Sequence, residues 1–270
     1  MITIYRHPHR VSGLKKFPEL FKSCDILFVE LGTNNYKKRV EEYLNGLSQG
    51  KNVSTLPLKS LEYTEFLEKL VRGSGKRIVV EDSPFSKEFF NLYVEQPIKN
   101  AVLCLREGKL EDARDWFLEC ARWFNFMNEK RENQIVDQLS KLQEEVGEKE
   151  ILVLIGASHG PLYWKLRERG MKVKQILHSN PLRFSYVSEA FRRHRFGKPL
   201  SLEIIVKALT SSQLEYILRK EFEEFGEINT GYRIPEDISN PEDGISWVAR
   251  KVVEEDEMED LLKFWWRRNE

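Results

Sequence analysis

Four short runs place an acid or a histidine directly after an aliphatic stretch. Ile2–Tyr5 leads into Arg6-His7-Pro8-His9, and Phe28-Val29 into Glu30-Leu31-Gly32. Val79-Val80 leads into Glu81-Asp82-Ser83-Pro84, and Ile151–Ile155 into Gly156-Ala157-Ser158-His159-Gly160. In an open α/β sheet, ligands bind outside the carboxyl ends of the strands. If the runs are parallel strands, His7, His9, Glu30, Glu81, Asp82 and His159 fall on one rim. Imidazoles and carboxylates gathered there suit general acid–base chemistry or the binding of a divalent metal ion.

Arg131 adds a separate signal. It precedes Ile135 by four residues and Leu139 by eight, so it falls on the apolar stripe of its helix. A guanidinium facing a core is expensive unless paired. Its candidate partners are Glu30 or an anionic group in the site. The competing readings are a side chain that reaches back to water at the start of the helix, and a purely structural ion pair.

Several alternatives fail on pattern. Gly156–Gly160 lacks the Gly-Lys-Ser/Thr ending of a phosphate-binding loop. Ser158 is not framed as Gly-x-Ser-x-Gly, so a nucleophile elbow has no support. The cysteines, Cys24, Cys104 and Cys120, are odd in number and widely spaced, which argues against a disulfide framework or a zinc site. Lys and Arg total 43, as do Asp and Glu, so net charge offers no case for nucleic acid or an anionic membrane as a partner. No stretch approaches 18 apolar residues and none at the N-terminus resembles a signal sequence, so the expectation is a soluble cytoplasmic protein. Charged residues reach 32% and Met only 4, a surface composition like that of thermophile proteins.

The elements that must position these residues follow from periodicity. Strands are expected at Ile2–Tyr5, Ile26–Leu31, Arg77–Val80, Ile151–Ile155 and Lys172–Leu177. Helical patterns cover Tyr36–Leu47, Leu61–Val71, Leu110–Phe126 and Asn128–Val146. Their alternation predicts an α/β domain over residues 1–180, with a largely parallel or mixed sheet flanked by helices. Beyond it, Ser185–Arg195, Leu200–Leu209, Ser211–Phe225 and Ile245–Trp266 read as helices, with a loop at Gly226–Gly244. They predict a C-terminal helical extension over 181–270, packed on the α/β part. Trp247, Trp265 and Trp266 need a surface there or on a partner. His178 would follow the last strand, and His194 lies in a basic helix end.

The residues around these positions resemble the TraB/PrgY-like family. His9-Arg10-Val11-Ser12, Phe17-Pro18-Glu19-Leu20-Phe21 and Asp25–Leu31 are similar to its N-terminal histidine turn, helix and Glu-Leu strand end. Lys130–Ile135 is similar to its Arg-led helix, Val79–Asp82 to its acidic strand end, and Ile151–Gly160 to its second Gly-x-x-His segment. The likeness covers residues 1–177. It departs at Arg6-His7-Pro8-His9, where the first motif's glycine is missing. The wider superfamily includes TIKI proteases, erythromycin esterases and haem-binding ChaN-like proteins.

The resemblance implies a hydrolase of small-molecule or peptide substrates, with His9, Glu30, Arg131 and His159 catalytic and Glu81, Asp82 and His7 in support. It leaves two chemistries open. In one, His9, Glu30 and His159 hold a divalent ion, Zn, Mn or Co by ligand type, that acidifies water. In the other, a histidine is the base, Glu30 orients it and Arg131 steadies negative charge. The alternative is a non-catalytic module that binds a small ligand or haem. A third reading is a scaffold that forms a homodimer through its C-terminal helices.

Overall fold

The computed structural model describes residues 1–7, 14, 16–31, 36–53, 61–177, 186–225, 232, 238 and 241–266. The chain divides into two compact units, Met1–Ser86 with Met127–Asn180, and Lys87–Phe126 with Pro181–Glu270. Residues 87–126, expected within the α/β domain, thus group with the C-terminal helices.

The first unit is an α/β fold. Its described strands are β1 (Ile2–His7), β2 (Ile26–Val29), β3 (Arg77–Val80), β4 (Ile151–Gly156) and β5 (Val173–Leu177). All neighbouring pairs are parallel, in the order β3-β2-β4-β1-β5. The purely aliphatic runs take the centre. Every residue of β2 and β4 is buried, whereas β3 and β5 at the edges are partly exposed. That is the expected cost-free place for strands that carry Arg77, Lys174 and Gln175.

Helices cover both faces. On one, α1 (Phe17–Ser23), α2 (Lys37–Ser48) and α3 (Leu61–Val71) pack Phe17, Phe21, Leu44, Leu47 and Leu67 against Leu27, Val29, Val80 and Leu154. On the other, the C-terminal half of a long helix sets Ile135, Leu139 and Leu142 against Ile4, Phe28 and Val153. A short helix after β4 adds Leu162 and Leu166 to the same layer. The connection leaving β2 therefore lies on one face, and that leaving the adjacent β4 on the other. Such a divergence marks the usual ligand position in doubly wound sheets.

The second unit is helical. It contains α4 (Lys87–Phe90), a π-helical turn (Asn91–Glu95), α5 (Gln96–Arg106) and the first half of α6 (Leu110–Val146). After α7 (Leu162–Glu168) of the first unit come α8 (Tyr186–Arg195), α9 (Leu202–Phe225), α10 (Pro241–Glu255) and α11 (Met258–Trp266). The two helices expected between Leu110 and Val146 are one, because Asn125-Phe126-Met127-Asn128 contains no breaker. For the same reason Leu200–Leu209 and Ser211–Phe225 merge into α9. Ile245–Trp266 instead divides at Asp256-Glu257. Of the tryptophans, Trp265 is fully buried and donates to Thr210 Oγ1 at 2.9 Å, while Trp266 stays exposed. No described helix is long and apolar enough to cross a membrane.

Candidate active site

The register places the acids first. Val29 pairs with Val80, so Glu30 and Glu81 are the next neighbours on adjacent parallel strands. Alternation sets both on the face of Ile26, Phe28 and Val79, beneath α6. Two carboxylates side by side and almost without exposure would repel strongly. Arg131 lies between them. Its Nη2 donates to Glu30 Oε1 at 2.7 Å, its Nε donates to Glu81 Oε1 at 2.9 Å, and Nη2 also contacts that oxygen. The guanidinium arrives because 131, 135, 139 and 142 form one helix stripe.

His159 approaches Glu30 from the other side. The turn after β4 closes with His159 N–H donating to the Gly156 carbonyl, which tucks the imidazole fully inside. Its Nε2 lies 3.3 Å from Glu30 Oε1. The Gly156 N–H donates to Glu30 Oε2 at 2.5 Å. Arg6, at the end of β1, donates to the Ala157 carbonyl and lies flat on Gly160, where a Cβ would meet its Nη2 at 3.3 Å. Glycine is what admits the arginine here.

Two further members of the cluster are Glu132 and Lys165. Glu132 is fully buried, with Oε1 3.5 Å from His159 Nδ1. Its Oε2 lies 3.1 Å from Lys165 Nζ, on α7. Glu132 lies three residues before Ile135, four before Val136 and seven before Leu139, so the spacing that marks Arg131 could have found it too, whereas Lys165 reads as a surface lysine. The described charges thus alternate across the strand ends: Lys165, Glu132, His159, Glu30, Arg131, Glu81.

The other expected residues fall elsewhere. His7 is buried on the opposite sheet face, stacked on Tyr63 at 5.3 Å between ring centroids, with Tyr63 Oη 3.4 Å from its Nε2. Asp82 is half-exposed beside Lys37 at 3.8 Å and does not join the cluster, because alternation turns it away from Glu81. His9 and His178 lie outside the described residues. No protein-family model, curated protein or solved structure matches the chain.

Electrostatics separate the roles. Burial raises the Glu81 carboxyl's pKa and the neighbouring Glu30 raises it further, against the opposing pull of Arg131 and His159. Burial alone would lower His159. Its carboxylate neighbours Glu30 and Glu132 outweigh that and carry it up to about 9. Arg131 is held firmly charged, since Glu30 and Glu81 overcome its desolvation. The Tyr63 phenol is pushed well up by burial and by the same two acids.

The metal reading can be tested against these donors. Glu30 Oε1 already faces Arg131 and His159, and Oε2 takes the Gly156 N–H. Both His159 nitrogens face carboxylates. Among the described residues, no group of three or more His, Cys, Asp or Glu is arranged to hold a metal ion. As they stand, the described donors do not fit one.

Proposed function

We propose that this chain is a hydrolase of the TraB/PrgY-like kind that cleaves an ester or amide bond in a small-molecule or peptide substrate. Glu81 is its general base. The supporting observation is Glu81 Oε2: it is buried, has no hydrogen-bond partner among the described residues, and belongs to a carboxylate with a raised pKa. A buried acceptor left unmade is costly, and such groups concentrate where function requires them.

Water bound at Oε2 gives a proton to Glu81 as its oxygen attacks the carbonyl carbon. The oxyanion that develops draws on the positive charge of Arg131 and His159. Collapse breaks the bond to the leaving group, which takes the proton back from Glu81. Glu30 is saturated, so its work is to hold Arg131 and His159 in place. His159, flanked by two acids, serves as a cation in this scheme and not as the base.

The experiment is turnover of a panel of activated esters and peptides by wild type and Glu81→Gln, with and without a chelator. Glu81→Gln is expected to lose roughly 10²–10⁴-fold in kcat/KM. Full turnover by Glu81→Gln sinks this mechanism. Activity removed by the chelator and restored by Zn, Mn or Co favours a metal centre that includes His9. No hydrolysis, together with a new visible band on haem titration that His159→Ala removes, favours the binding module.

A further inference from the structure

We propose that Glu132 is a positioning residue for His159, and that Lys165 fixes Glu132 in turn. The proposal does not depend on the reaction above, because it concerns how the imidazole is held.

An imidazole ring has a broad, roughly two-fold torsion about its last bond, so one contact cannot fix which nitrogen faces which partner. In the cationic ring both nitrogens carry hydrogen, and each is oriented by the acceptor it faces. Here Nε2 faces Glu30 at 3.3 Å, and that oxygen is shared with Arg131. Nδ1 is fully buried and makes no closer polar contact among the described residues than Glu132, at 3.5 Å. That distance is the outer limit of a hydrogen bond, so the contact is chiefly one of charge.

Glu132 is itself wholly buried, on a helix whose next residue, Asn133, is exposed. A buried carboxylate needs compensating partners, and Arg6 is among the charges that act on it. Lys165 is anchored at both ends of its reach, 3.1 Å from Glu132 Oε2 and 2.8 Å from Asn133 Oδ1. Glu132 therefore has one oxygen for the lysine and one for the histidine. The charged groups that face this assembly come from each packed element: Arg6 from β1, Glu30 beyond β2, Glu81 beyond β3, Arg131 from α6 and Lys165 from α7.

The readout is the ring N–H spectrum of His159 in ¹⁵N-histidine-labelled full-length protein, assigned by its loss in His159→Asn. The wild type is expected to show an Nδ1–H signal shifted downfield and protected from water exchange. Glu132→Leu should lose it, and Glu132→Asp should restore it in part. Lys165→Met should speed exchange about tenfold, the equivalent of one weakened charge-assisted contact. If Glu132→Leu does not fold, Glu132→Gln carries the same test, with the signal moving upfield as charge is lost. A wild-type Nδ1 without hydrogen overturns the proposal. So does an Nδ1–H signal unchanged in the Glu132 variants that fold.

Discussion

Two arginines in this protein are each clamped by two glutamates, and the clamps behave oppositely. Arg131 and Arg250 have the same side-chain exposure, 19%. Arg250 takes Glu254 at 2.7 Å and Glu189 at 3.2 Å and lies 4.7 Å over the Tyr186 ring. Glu254 is one helical turn away on the same helix, whereas the acids of Arg131 are 101 and 50 positions distant. Burial would raise the Glu254 carboxyl, but bonds from Arg250 and Lys251 carry it down. Glu81 moves up instead. The difference lies in the acids' surroundings: Glu254 and Glu189 are partly open to bulk solvent, while Glu81 is buried and stands beside a second carboxylate. A local, half-wet clamp lowers the energy of the fold. A non-local, buried clamp of two acids on one cation costs desolvation energy, in keeping with the proposed site.

The largest expected effect breaks each clamp at its cation. Arg131→Met leaves two buried carboxylates uncompensated, and losses of about 3–5 kcal/mol are typical of that situation. Arg250→Met removes partly exposed pairs worth about 0.2–1 kcal/mol each. Urea unfolding of the two variants, read separately in each unit, should differ by several kcal/mol. Equal losses would erase the distinction.

A pH series sharpens it next. The folded pKa of His159, about 9, is raised above the ordinary 6.5. Its contribution is therefore fully present below pH 6.5 and is lost as pH rises through 9. A gap of that size corresponds to about 3 kcal/mol, as an order of magnitude. Urea midpoints of wild type should fall between pH 6.5 and 9 relative to those of His159→Gln. Parallel curves would show that the histidine is not held as a cation.

The sequence exposes this contrast unevenly. Aliphatic runs leading to Glu30 and His159 mark central parallel strands, because these must be apolar on both faces, and the run before Glu81 marks the edge strand beside them. Arg131 stands out because four-residue spacing ties it to Ile135 and Leu139. Glu132 carries a similar marker, three residues before Ile135 and seven before Leu139, but its partners His159 and Lys165 come from a distant segment, a tertiary fact. Asp82 and Glu81 were equal candidates until alternation within β3 separated them. Helices α4 and α5 escaped notice because Pro84, Pro97 and a π-helical turn interrupt the apolar period, although Pro97 sits in the first turn of α5, where proline is tolerated.

A smaller effect concerns the acids themselves. Glu81→Gln removes a charge that burial and Glu30 disfavour, so stability should hold or rise by roughly 1 kcal/mol, even as turnover falls. Glu254→Gln removes a charge that its surroundings favour, so stability should drop by a few tenths of a kcal/mol. Opposite signs in thermal melts are the expected outcome, and two losses of equal size would contradict the assignment of Glu81 as a carboxylate held against its preference.

Salt gives the smallest and most selective difference. At 1 M ionic strength the screening length is about 3 Å, shorter than the reach of an exposed ion pair, but a buried pair is screened much less. Arg250, Glu254 and Lys251 are open to solvent, with Lys251 at 38%. Their mutual attraction should weaken by a few tenths of a kcal/mol. Glu30, Glu81, Glu132 and His159 are buried, so the coupling among them should persist. A double-mutant cycle on Arg250 and Glu254 should shrink toward zero between low salt and 1 M sodium chloride. The matching cycle on His159 and Glu132 should stay within error. If the second cycle also collapses, ions reach the strand ends, and the buried clamp is a wet one after all.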